Sequence, residues 1–262
     1  MDKDKVLLLT GGLGGPLTIA LYCPLRNAIA LGSKYPLSSL SLYRMTFARG
    51  FTGGWTGGLS PTIFSCPQFL AMGPLYHVYS THLGPTLAIF PTAITESLIS
   101  FGSQARNAQL AYNATVGKKE IVNLQHPASP VHVGCLPHVL RNAIAMSGIR
   151  ALNGPCSSLI SVVTGGERES ATVQNMGAFT ASVASAGISM PFNQVFNYLA
   201  VTPSAGLRDV PGFLMSQYVK DGRVSKIVIR DLGMRIAYNA PQLTTFLIIE
   251  RKVLKFFGHN VS

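Results

Sequence analysis

The stretch Arg49-Gly50-Phe51-Thr52-Gly53-Gly54-Trp55-Thr56-Gly57 decides how the chain is read. A Gly-x4-aromatic-x-Gly turn opens an apolar helix. Before it come an earlier apolar helix with a proline, Pro24, and a polar link. Weaker copies of this unit recur. Gly148-Ile149-Arg150-Ala151-Leu152-Asn153-Gly154 is a second turn, and Asp221-Gly222 through Arg230-Asp231 is a looser third, with Pro91 and Pro191 in the place of Pro24. A unit repeated three times predicts a single domain over residues 1–262, with repeats at about 1–83, 84–172 and 173–262.

Composition points to an apolar environment. Hydrophobic residues make up 47% of the chain and charged residues 12%, about half the charged share of an ordinary soluble domain. The mean hydropathy is +0.31, and 26 Gly and 16 Pro lie within apolar stretches, a pattern tolerated in membrane helices. The expected fold class is therefore an all-α membrane protein of six transmembrane helices. They form three two-helix repeats, with short surface helices between odd and even helices. The six expected spans are roughly Val6–Leu31, Leu59–Thr81, Thr86–Ala111, a weak fourth from Ala151 or Pro155, Val173–Val201 and Ile229–Phe257. Residues 1–22, which imitate a secretory leader, read as the first helix because Asp2 and Asp4 offset Lys3 and Lys5.

Helix 4 stands apart, because Gly165-Gly166-Glu167-Arg168-Glu169 stops its apolar run ten residues after it starts at Pro155. A span needs about 20. A short helix at 137–147 is assigned to the link before it.

The net charge of +11 follows a pattern. Links 26–58, 105–153 and 202–230 hold 14 of the 21 Lys and Arg but only three of the ten acids. That bias places all three links on one side of a membrane and both termini on the other. The basic charge is read as facing anionic lipid, with no nucleic acid partner. Cys23, Cys66, Cys135 and Cys156 are widely spaced and read as free thiols, with no metal site. No catalytic constellation appears, so no enzyme is indicated.

The threefold, proline-bearing repeat with its Gly-aromatic turn resembles the mitochondrial carrier family. Gly50, Gly53, Trp55 and Gly57 carry the likeness in the first repeat, and Gly233-Met234-Arg235-Ile236-Ala237-Tyr238-Asn239-Ala240-Pro241 carries it in the third. The resemblance implies the mitochondrial inner membrane, with the links in the matrix and both termini in the intermembrane space. It also implies bound cardiolipin at the glycine turns, with Gly50, Trp55, Gly57, Gly148, Gly154 and Gly222 as candidates. No other cofactor is expected.

Departures from the family pattern shape the functional expectation. The family closes one gate with acid–base pairs from Pro-x-acidic-x-x-basic. Here Pro24-Leu25-Arg26-Asn27-Ala28-Ile29 puts Arg26 in the acidic slot, and Pro91-Thr92-Ala93-Ile94-Thr95-Glu96 puts Glu96 in the basic one. One charge-reversed pair, Arg26 with Glu96, is expected. Pro191-Phe192-Asn193-Gln194-Val195-Phe196 offers neither charge. The family's substrate-contact offset falls on Phe64, Ser161 and Tyr238, none of them charged. The expected function is a transport-inactive, carrier-like subunit of a larger inner-membrane assembly, such as a respiratory complex or ATP synthase. The alternative is an active carrier for a small neutral or weakly charged solute.

Overall fold

The structure, a computed structural model, describes residues 12, 14–116 and 120–256. The expected start of the first helix at Val6, and Lys118-Lys119 in the second link, lie outside the described residues. Helix dominates. Residues 14–21 are helical, and after a turn at Tyr22 the chain continues as α1 (Cys23–Gly32), with Pro24 in its first turn. Proline suits that position, because its missing N–H would have had no partner there. Pro24 thus opens a helix where a mid-helix kink was expected.

The first link holds α2 (Ser39–Thr46), capped by Ser38, whose Oγ accepts from Ser41 N at 3.2 Å. A 3-10 turn, Phe51–Trp55, follows. Beyond it run α3 (Leu59–Leu83) and α4 (Ile89–Asn113). The second link leads into α5 (Cys135–Ser147), a π turn at Gly148–Leu152, and α6 (Asn153–Thr164), which ends on Gly165 in the left-handed region at φ 65°. The rest of the described chain comprises α7 (Ala171–Ala200), α8 (Val210–Tyr218), a short hairpin of two-residue strands, Val219–Lys220 and Arg223–Val224, and α9 (Lys226–Phe256).

The long helical segments close into a ring. Gly15 meets Phe69 of α3, α3 packs on α4, α4 on α5, α5 and α6 on α7, α7 on α9, and α9 on α1. At one end α1, α4 and α7 also touch pairwise across the middle. Ala30, Phe101, Ala105, Ala108, Phe196 and Ala200 fill that crossing as one buried cluster. Small residues there let three backbones converge while Phe101 and Phe196 fill the remaining volume, their rings edge-on at 5.8 Å.

The opening glycine turn is locked into this crossing. Asn27 Nδ2 donates to the carbonyls of Gly54 and Thr56, at 2.9 and 3.0 Å. Gly57, at φ 77°, lies so close to α4 that an added Cβ would stand 2.9 Å from Leu110 Cβ. Only glycine meets both demands.

The polarity of the ring runs opposite to that of a water-facing bundle. Along α4, Phe90, Ile94 and Leu98 point outward and are 46–58% exposed, while Thr92, Ser97, Ser100, Ser103 and Asn107 are buried. Val162 on α6 and Ile229 on α9 are 82% and 73% exposed.

Two expectations are corrected. No helix among the described residues is long and apolar enough to cross a membrane, so the six-transmembrane-helix fold is set aside. The reason is dilution. Polar residues, Glu96, Gln104, Arg106 and Asn107 on α4 and Arg230, Asp231, Arg235 and Asn239 on α9, interrupt two of the long helices. Pro67, Gln68 and Pro74 on α3 and Asn193, Gln194 and Asn197 on α7 dilute the other two. The helices also divide differently, since the expected first helix breaks at Tyr22 and the expected fourth is joined through a π turn to the helix before it. With no crossing helix, the multi-pass mitochondrial inner-membrane location and its assignment of links to the matrix and termini to the intermembrane space are withdrawn as well.

Candidate functional site: a polar cavity on the ring axis

Beyond the apolar crossing the helices diverge around a central cavity of about 90 Å³. About 10–15 Å³ of such space holds one water, so the cavity suits several waters or a small ion, and not a nucleotide-sized molecule. Its wall carries Arg26 from α1, Gln68 from α3, Glu96, Gln104 and Asn107 from α4, Arg141 and Asn142 from α5, Asn193 and Asn197 from α7, and Arg235, Tyr238, Asn239 and Gln242 from α9.

Three guanidinium groups face this space. Arg141 and Arg235 are 7% and 5% exposed. Arg141 is held entirely by neutral amides: Nε and Nη2 donate to Asn142 Oδ1 at 3.1 and 2.9 Å, Nη1 to Asn193 Oδ1 at 3.2 Å, and Nη2 to Gln104 Oε1 at 3.0 Å. Arg235 reaches only Ser189 Oγ, at 3.4 Å, and lies 5.9 Å from the Tyr238 ring centre. Arg26 Nη2 donates to Asn107 Oδ1 at 2.7 Å, while its Nε and Nη1 are buried without a hydrogen-bond partner. Among the described residues no carboxylate pairs with any of the three, because the ion pair found there is Arg230–Asp231, at 2.6 Å in the link region.

Burial and crowding of like charges act on these groups. Desolvation, with the neighbouring Arg141, pushes Arg235 down to about 9; desolvation pushes Arg141 down to about 10. Both values still leave the arginines charged at neutral pH. Glu96 is pushed up to about 7 by burial, against the opposing hydrogen bond from Gln68 and the field of Arg141. Burial and the two arginines hold His138 well below the usual imidazole range. It stays neutral between Ser100 Oγ at 3.1 Å and Asn142 Nδ2 at 3.3 Å.

The expected site residues are distributed unevenly about this cavity. Arg26 and Glu96 both line it. They form no ion pair among the described residues: Arg26 bonds Asn107, and Glu96 Oε1 accepts from Gln68 Nε2 at 2.7 Å. Of the expected contact positions, Tyr238 is in the wall, edge-on to Tyr22 at 6.3 Å. Phe64 is half-buried on α3 outside the lining. Ser161 Oγ donates to Gly166 O at 2.6 Å and closes the end of α6.

The lipid candidates also divide by geometry. Gly50, at φ 90°, begins the 3-10 turn, and Trp55 Nε1 donates to Ala20 O at 2.8 Å. Gly57 serves the close approach to α4. Gly148 and Gly154 lie inside a continuous helical run, so neither offers the free helix N-terminus that made it an anion candidate. An added Cβ on Gly148 would stand 2.5 Å from Ser185 Oγ. Gly222 turns the short hairpin at φ 71°.

Arg141, Asn142 and Gln68 escaped the sequence reading. Arg141 and Asn142 were assigned to a link helix, but α5 enters the ring wall and its polar face turns to the axis. A signal existed: His138, Arg141, Asn142 and Ala145 recur at helical spacing, opposite Leu136 and Leu140. In that reading Arg235 enters only as part of the 233–241 stretch, and not as a site residue. No protein-family model matches the chain, and no curated protein matches it at a meaningful level of similarity.

Proposed function

We propose that this protein binds a small anion in its axial cavity. The observation that carries the reading is the burial of Arg141 and Arg235 side by side in the cavity wall with only neutral partners. Among the described residues, three guanidiniums share the wall with one carboxylate, Glu96, so net positive charge is buried. Such a charge costs several kcal/mol, and an oxyanion between guanidiniums offsets that cost with charge-assisted hydrogen bonds. The uncharged positions Phe64 and Ser161 had argued against an anionic guest, but neither contributes to the wall. A cavity of about 90 Å³ favours phosphate, sulfate or a short carboxylate over a nucleotide.

The test is thermal unfolding of the purified chain against increasing inorganic phosphate, with chloride at matched ionic strength as control. Ligand at a hundred times its dissociation constant adds about 2.7 kcal/mol of stability, so a saturable rise in Tm of several degrees is expected. The double variant Arg141→Met/Arg235→Met should lose the rise. Absence of any anion-specific rise in the wild type, or an undiminished rise in the double variant, would remove the reading.

A second reading, an accessory subunit of a larger protein assembly, has its own support. The outward faces of α3, α4, α6, α7 and α9 carry exposed Leu59, Ile63, Phe90, Ile94, Val162, Val163, Phe179 and Ile229, and exposed apolar side chains gathered on one surface mark interaction sites. Protein neighbours that cover these faces would explain them. The two readings are compatible, since one uses the axis and the other the perimeter.

A further inference from the structure

We propose that the cavity takes up its anion together with one proton, and that Glu96 receives the proton. This rests on the anion reading above.

Among the described residues Glu96 is the sole carboxylate in the wall, and it shares about 90 Å³ with Arg26, Arg141 and Arg235. Its Oε1 is held by Gln68, and its second oxygen has no hydrogen-bond partner among the described residues. In the empty cavity the carboxylate is the one negative group near three guanidiniums. An entering anion takes over that role and repels it at close range in a low-dielectric space. Two anions cannot share the site at low cost, so one must be neutralised. Arg141 opposes protonation of Glu96 in the empty site, and burial favours it. An anion bound at the guanidiniums screens the first influence and leaves the second, so occupancy raises the proton affinity of Glu96.

No other facing group can take this part. On α1 the facing group is the Arg26 guanidinium. On α3 Gln68 is an amide. On α5 Arg141 is cationic, and His138 is neutral and already bonded to Ser100 and Asn142. On α7 the facing groups are Asn193 and Asn197, and on α9 they are Arg235, Tyr238, Asn239 and Gln242. The step balances simply: the anion and one solvent proton enter, the proton binds a Glu96 oxygen, and the resulting O–H can donate to the guest. Release returns both.

The experiment uses sulfate, which does not titrate between pH 6 and 9, in zwitterionic or cationic buffers. Calorimetric titration in buffers of different ionisation enthalpy counts the protons taken up. For wild type, uptake should approach one proton per sulfate at pH 8, and affinity should fall about tenfold per pH unit above neutrality. Between pH 6 and 8, below the range in which Arg235 loses its charge, Glu96→Gln should bind without proton uptake, at an affinity independent of pH and above that of wild type at pH 8. Sulfate binding with no proton uptake by wild type would overturn this inference while leaving the anion site standing. So would an identical pH profile in Glu96→Gln. No sulfate binding by either protein at any pH would overturn the anion reading itself. The proton count on wild type needs no variant, so poor folding of Glu96→Gln leaves a decisive measurement.

Discussion

At the scale of single residues, the axis is a case of charge held by amides. Asn27, Asn107, Asn142, Asn193, Gln68 and Gln104 link the charged groups into a network that a salt-bridge ring would otherwise supply. Amides orient guanidiniums without neutralising them, and this keeps the positive charge available to a guest. Glu96 gives a prediction about the protein alone. Its proton affinity is raised in the folded state, from the ordinary carboxylate value of 4.5 to about 7. The folded protein therefore binds more protons than the unfolded chain between those limits. The stabilising contribution is full below about pH 4.5 and is lost as pH rises through about 7. Glu96→Gln, which cannot ionise, should be more stable than wild type at pH 8 by on the order of 1–3 kcal/mol. The gap should close toward pH 5. Urea unfolding at the two pH values checks the sign, and a gap that widens on acidification would contradict it.

At the scale of elements, the link region is held by one arginine. Arg230 Nη2 donates to Gly32 O at 2.8 Å, and Nη1 donates to Tyr35 O and Leu37 O at 2.8 and 3.0 Å. It thereby satisfies the last carbonyl of α1, which the helix itself leaves free, and two carbonyls of the link that follows. Asp231 balances the charge and accepts from Tyr218 Oη at 3.1 Å. Arg230→Met would leave Asp231 buried without its cation and would take the Arg230 donor from the Tyr35 and Leu37 carbonyls, while Gln217 still donates to Gly32 O at 3.0 Å. A loss of about 3–5 kcal/mol is therefore expected in chemical denaturation. Asp231→Asn/Arg230→Met should recover part of it, because the stranded charge is then gone.

The same scale shows where sequence reading reached its limit. Gly165 stopped α6 at the position its spacing predicts, since a left-handed cap there is a local matter of backbone conformation. The path of α5 was not local. Pro137 and the polar residues around it read as a link, yet the helix runs through the π turn at Gly148–Leu152 into α6. The π turn shifts the helical phase, so no single period connects Arg141 to Ser157.

At the scale of the whole molecule, polarity is inverted. The axis is polar and the perimeter apolar, which is why an average hydropathy of +0.31 coexists with long helices none of which is apolar enough to cross a membrane. The perimeter predicts a behaviour. Expressed in its native host and extracted gently, the chain should migrate in native electrophoresis within an assembly well above its own 28.0 kDa. Migration as a free monomer would remove the accessory-subunit reading and leave the anion site untouched. Polar substitution of the Phe90, Ile94 and Leu98 stripe should release the chain from that assembly while its phosphate-induced rise in Tm persists.

What the sequence by itself determined is local or periodic. The helical class follows from apolar spacing, the turn at 49–57 from its glycines, and the end of α6 from Gly165. Arg26, Glu96 and Tyr238 could be singled out because the family resemblance marks those slots in the sequence. What only the tertiary structure decided is which polar faces meet. Arg26, Arg141 and Arg235 are separated by more than a hundred residues in chain order from first to last, and no local propensity records that they converge. Their meeting follows from ring closure. Six long helical segments can bury their polar faces only against one another, and that leaves the guanidiniums around a common axis with their charge uncancelled.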